Sequence, residues 1–143
     1  MKTILRNTLA VVAGFVAGSI VNMGLIMVGG QVVPPPAGGD VSSMEALAAT
    51  MHLFEPRHFL FPYLGHALGT LVGALVAALI ASTHKVAMAY VVGALFLCGG
   101  IANVVMLPAP LWFEVLDLVT AYLPMAWLGA RLATRPRAVP VAA

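Results

Sequence analysis

The stretch 59-FLFPYLGHALGTLVGALVAALIA-81 decides the fold, because it is long, apolar and free of Asp, Glu, Lys and Arg, yet carries one histidine, His66. A helix needs about 20 apolar residues to cross the hydrocarbon core of a bilayer, and this stretch supplies them. Working outward, the same feature recurs. No charge falls between Arg6 and Asp40, and none between Lys85 and Glu114. A fourth candidate, Leu111 to Leu132, holds Glu114 and Asp117 near its start and is uncharged from Leu118 to Ala130.

The composition agrees. Of 143 residues, 62% are hydrophobic and 8% charged, and the mean hydropathy is +1.02. Soluble domains carry about 25% charged residues, so this is a membrane protein. Backbone groups find no water in lipid, and the strict alternation of barrel strands is missing, so helices are expected. The reading is an all-α, four-helix transmembrane domain filling 1–143, with spans near 9–32, 59–81, 86–106 and 111–132 and a tail over 133–143.

Six of the seven basic residues, Lys2, Arg6, Lys85, Arg131, Arg135 and Arg137, fall on one side of such a bundle; Arg57 is the exception. All five acids, Asp40, Glu45, Glu55, Glu114 and Asp117, fall toward the other. Basic residues in short loops stay in the cytoplasm, which predicts a bacterial-type inner (plasma) membrane with both termini and the 133–143 tail cytoplasmic. The pI near 9.0 therefore points to anionic headgroups rather than nucleic acid. Lys2 and Arg6 before "NTLAVVAGFVAGS" also fit a secretory signal with Ala17 and Ser19 at a cleavage site, but the apolar run continues to Val33 and favours a retained span. Tyr63, Tyr90, Trp112 and Trp127 lie near span ends, where aromatic residues anchor at interfaces.

The connections "STHK" and "LPAP" are tight, which makes the last three spans antiparallel neighbours. Only the first loop is long. It opens with "PPPAGGD", which cannot continue a helix. Ser42 and Glu45 then have capping-box spacing, and Met44, Leu47, Met51 and Phe54 form a helical apolar stripe. A short amphipathic helix over 42–54 is expected there, lying on the outer surface or lidding the bundle.

Hydrophobicity does not drive association between helices in lipid, so small residues at four-residue spacing mark close packing. Gly14 and Gly18 on the first span, Gly65, Gly69 and Gly73 on the second, and Gly93 and Gly100 on the third have that character. The polar residues share these faces: Asn22 follows Gly18, His66 and Thr70 flank the second glycine row, and Asn103 follows Gly100. At about 1.5 Å per residue, His66 and Asp117 both lie roughly 10 Å inside the bundle. An intramembrane ionisable residue marks a site with a named partner, and here the partner of His66 is Asp117. The expected pocket holds His66, Asp117, Glu114, Asn103, Asn22 and Thr70, with His52, Glu55 and His58 at an outward entrance. Pro124 removes the hydrogen bond to the Thr120 carbonyl and predicts a kink in the fourth span.

Cys98 stands alone, which excludes an intramolecular disulfide and argues for a small core residue. His52, Glu55 and His58 approach metal spacing, but Pro56 interrupts them, so no metal or cofactor is clearly implied. No serine or cysteine stands in an activated setting, and phosphate-loop glycines are missing. The leading expectation is a non-enzymatic carrier or binding protein for a proton, a metal cation or a small cationic solute, working as a homo-oligomer. The alternatives are a noncatalytic subunit of a larger membrane assembly with a membrane-protein partner, and a metal-dependent enzyme that activates water.

Overall fold

The structure, a computed structural model, describes residues 1–135. Those residues form an all-helical bundle with four helices long and apolar enough to cross a membrane. The crossings are α1 (Lys2–Val32), α3 (Leu60–Ile80) with a 3₁₀ turn before it (Pro56–Phe59), α4 (Lys85–Met106), and a fourth built from two helices, α5 (Leu111–Thr120) and α6 (Leu123–Thr134). Between the first two crossings lies the short helix α2 (Met44–Thr50). The chain is a multi-pass membrane protein. Of the tail expected over 133–143, residues 136–143 lie outside the described residues.

The first helix starts at Lys2, seven residues ahead of the apolar run, because its polar first turns have work on the neighbouring turn. The Arg6 guanidinium donates to the Ile80 carbonyl at 2.9 Å, one of the carbonyls that the end of α3 leaves without an intrahelical donor. The Asn7 amide oxygen accepts from the Ser82 backbone at 3.0 Å and its nitrogen donates to the Thr83 hydroxyl at 3.1 Å. This clamp holds the 81–84 turn, in which His84 takes a left-handed conformation at φ 51°.

Glycines set the distance between α1 and α3. A Cβ on Gly14 would stand 2.5 Å from the Gly73 carbonyl, and one on Gly18 would stand 2.5 Å from the Gly69 carbonyl. The reciprocal positions are as tight: a Cβ on Gly69 would meet the Gly18 carbonyl at 2.8 Å and one on Gly73 the Gly14 carbonyl at 2.8 Å. No larger side chain fits along this seam. A second small-residue seam joins α3, α4 and α6 through Ala74, Ala78, Ala89, Ala126 and Ala130, with Gly93 against Ala126. In lipid such contacts hold helices together by dispersion over many atoms rather than by apolar burial.

The loop after α1 differs in detail from its sequence reading. The helix there is Met44–Thr50, followed by a 3₁₀ turn over Met51–Leu53, instead of one helix over 42–54. Its cap is Ser43, whose hydroxyl accepts from the Ala46 amide at 3.1 Å; the box between Ser42 and Glu45 does not form. The cause is Asp40, whose carboxylate takes the Ser42 amide at 2.8 Å and keeps Ser42 in the preceding turn. That contact with Ser42 holds the Asp40 carboxyl below the usual carboxylate range. The apolar stripe does pack downward: Met51 is buried with Phe59 and Phe113, and Leu47 and Phe54 lie against them. Hence α2 lids the loop end of the bundle.

The fourth crossing breaks where the sequence predicts only a kink. Proline at position 124 has no amide to give to the Thr120 carbonyl, and the chain turns at Ala121 and Tyr122 before starting α6. Tyr122 itself sits at φ −115° and ψ −80°, off the helical values. As a result its side chain turns into the bundle, where it is 1% exposed.

Candidate functional site

Three polar side chains meet at one level in the middle of the bundle. The Nδ1 of His66 on α3 lies 2.9 Å and 3.0 Å from the two carboxylate oxygens of Asp117 on α5. The Tyr122 hydroxyl donates to Asp117 Oδ2 at 2.6 Å and also lies 3.1 Å from His66 Nδ1. Asp117 is 3% exposed. The pairing of His66 with Asp117 is the one read from their equal depth.

These contacts settle the histidine tautomer on physical grounds. Tyr122 has one proton, and at 2.6 Å it goes to the carboxylate. Everything facing Nδ1 is then an acceptor: two carboxylate oxygens and the phenol oxygen. When the imidazole is neutral, its proton therefore sits on Nδ1 and its lone pair on Nε2. Among the described residues no group bonds Nε2, and His66 lines a cavity of about 250 Å³. An acceptor nitrogen, oriented from behind by a carboxylate, thus faces open space at membrane depth.

The backbone supports this pose. Thr70, fully buried, donates its hydroxyl to the His66 carbonyl at 2.7 Å. On the other side Tyr63 and Thr120 pair their hydroxyls at 2.9 Å, tying α3 to the end of α5 just before the break. The Tyr122 ring lies over Gly100 of α4, a position where a side chain would collide with it.

The cavity lies between α1, α3 and α4. Its polar lining is His66, Ser19, Asn22, Asn103 and Tyr122, and its apolar wall is Phe15, Leu95 and Phe96 beside Gly99 and Gly100. Phe15 and Phe96 are neighbours with ring centroids 5.2 Å apart. Asn22 also packs on the Gly65 backbone, with its Oδ1 buried and without a hydrogen-bond partner. A buried amide oxygen without a donor is a cost that a fold seldom retains for packing alone.

Of the residues that the sequence puts in the pocket, His66, Asn22 and Asn103 line the cavity, Asp117 stands behind His66, and Thr70 straps the backbone. Glu114, half-buried one turn nearer the loop end, does not line it. Nor do His52, Glu55 and His58, which the sequence places at an entrance. Glu55 forms an ion pair with Arg57 at 3.0 Å, His58 Nδ1 accepts from the Glu55 amide at 2.9 Å, and His52 is exposed. The physical reason is the lid: α2 and the aromatic cluster Phe59 and Phe113 lie over the loop end. Among the described residues no three His, Cys, Asp or Glu side chains come together to hold a metal ion.

Sequence reasoning missed Tyr122 and Ser19. Tyr122 carried a signal, since it is the one tyrosine away from a span end and precedes Pro124 by two residues. Ser19 carried a weaker one, its three-residue spacing from Asn22 on a single helix face. No family model, no curated protein and no solved structure matches this chain.

Proposed function

We propose that this protein is a small carrier or binding protein whose His66, Asp117 and Tyr122 take up one unit of positive charge, a proton or a small cationic solute, inside the bilayer. The carrying observation is the unbonded Nε2 of a histidine whose Nδ1 is gripped by both oxygens of a buried carboxylate. With Asp117 ionised and His66 neutral, the site holds one negative charge. A charge left uncompensated in lipid is costly, and a single proton on Nε2 or a single cation beside it removes the cost. The two occupants compete for one place. Among the groups facing His66, those that titrate are Asp117 from α5 and Tyr122 from the break; Ser19, Asn22 and Asn103, from α1 and α4, are uncharged.

The distribution of basic residues supports a bacterial-type inner membrane with both termini in the cytoplasm. The functional unit on this reading is a homo-oligomer, since four crossings around one half-open cavity make only part of a path. The test is methylammonium binding to the protein in lipid nanodiscs from about pH 5 to about pH 8, the range in which imidazole changes charge. Competition predicts affinity that rises as pH rises and protons released on binding, with both effects lost in His66→Gln. Affinity independent of pH, or equal in His66→Gln, refutes the proposal.

A further inference from the structure

The cavity lies beside exposed side chains on the flank of the bundle. Its lining comes from the facing sides of α1 and α4, and the residues at its rim, Phe15 at 41% and Leu95 at 45% exposure, face outward from the helices at membrane depth. Beside them Gly99 is exposed, and a side chain there would meet nothing within 4 Å. The mouth is thus a lateral gap between two crossings, bordered by apolar side chains, with the surrounding lipid in front of it.

From this geometry we infer that the site takes a lipophilic organic ammonium ion, one carrying an N–H and an apolar body about the size of an aromatic ring, which arrives sideways from the bilayer between α1 and α4. The inference rests on the charge reading above and adds the ligand class and its route. Four features of the cavity select that class. His66 Nε2 accepts a hydrogen bond from the ammonium group, and the carboxylate behind it supplies the compensating charge. The neighbouring Phe15 and Phe96 rings in the wall supply aromatic surface for a cation or an aromatic body. A volume of about 250 Å³ has room for a one-ring amine. A hydrated inorganic ion would have to shed its water to cross an apolar rim.

The experiment compares 2-phenylethylammonium with methylammonium by calorimetry on the protein in nanodiscs. The wild type should bind the aromatic amine at least about tenfold more tightly. Gly99→Trp, which places a ring in empty space at the mouth, should weaken the aromatic amine about tenfold or more and methylammonium by a smaller factor. Phe15→Ala, which removes one of the two rings, should weaken the aromatic amine by a larger factor than methylammonium. Equal affinity for both amines in the wild type, or wild-type affinity for the aromatic amine in Gly99→Trp, overturns the inference while the charge reading stands. Failure of both amines to bind or release protons overturns both.

Discussion

Asp117→Asn tests the site more sharply than deletion of the histidine, because an amide has nearly the shape of the carboxylate. In the native arrangement two donors converge on Asp117, the His66 Nδ1–H at 2.9 Å and 3.0 Å and the Tyr122 hydroxyl at 2.6 Å. An asparagine offers one acceptor and one NH₂. If its oxygen stays at the Tyr122 side, its NH₂ faces Nδ1, and two donors collide unless the ring proton moves. The relaxed solution is the other tautomer, with Nδ1 accepting from the amide and Nε2 carrying the proton into the cavity. Every hydrogen bond survives, so the stability loss should be small, about 1 kcal/mol. Function should change far more. The cation at Nε2 lies beyond the imidazole ring, about 7 Å from the carboxylate, so at an effective dielectric of about 20 the pair is worth about 2.4 kcal/mol, and losing it should weaken cation binding roughly fiftyfold. Nitrogen-15 NMR of histidine-labelled protein in nanodiscs reads the tautomer directly, with the His66 signals assigned by their loss in His66→Gln. A wild type with its proton on Nε2, or an Asp117→Asn protein that keeps both the Nδ1–H tautomer and wild-type cation affinity, would refute the reasoning.

Two further outcomes follow from the packing and the hydroxyl contact. Gly69→Val puts methyl groups where even a Cβ would lie 2.8 Å from the Gly18 carbonyl, so it should lower thermal stability in detergent by roughly 1–3 kcal/mol or separate α1 from α3, whereas Gly24→Val, with nothing within 4 Å, should melt like the wild type. Tyr122→Phe removes a hydrogen bond to a buried carboxylate and should destabilise by about 0.6–1.7 kcal/mol, and titration calorimetry should then show altered cation affinity at an unchanged fold; unaltered melting would mean that the 2.6 Å contact contributes nothing.

The fold was legible because lipid makes strong demands on composition. Charge gaps longer than a membrane crossing give the spans, and glycine spacing gives the α1–α3 seam with Gly14 and Gly18 on Gly73 and Gly69. Equal depth also gave the meeting of His66 with Asp117, since depth is set by counting residues from a loop. What sequence does not carry is rotation about a helix axis and the exact place of a break. Glu114 and Asp117 are three residues apart, nearly one turn, yet only Asp117 contacts His66. Tyr122 enters the site because Pro124 ends the helical register at Thr120, and because of that break its direction cannot be read from a helical wheel. The residues expected at the entrance stand apart from the cavity for a related reason. His52, Glu55 and His58 are near the expected end of the bundle, and Met51, Phe59 and Phe113 pack together there.

Whether the histidine is merely a tie between helices can be decided by magnitude. Interhelical hydrogen bonds within membranes contribute about 0.6 kcal/mol each on average, so the contacts among His66, Asp117 and Tyr122 together supply roughly 2 kcal/mol. Placing a charged aspartate at depth costs about 2.5–3.5 kcal/mol on insertion scales, so as a tie the arrangement gains nothing over a serine or threonine pair such as the bond between Tyr63 and Thr120. A tie would also use both ring nitrogens across the interface. Here Asp117 and Tyr122 both crowd Nδ1, Nε2 is left to the cavity, and the Asn22 oxygen nearby goes without a donor. Stability alone would select against each of those features, and a site that exchanges its occupant requires the first two.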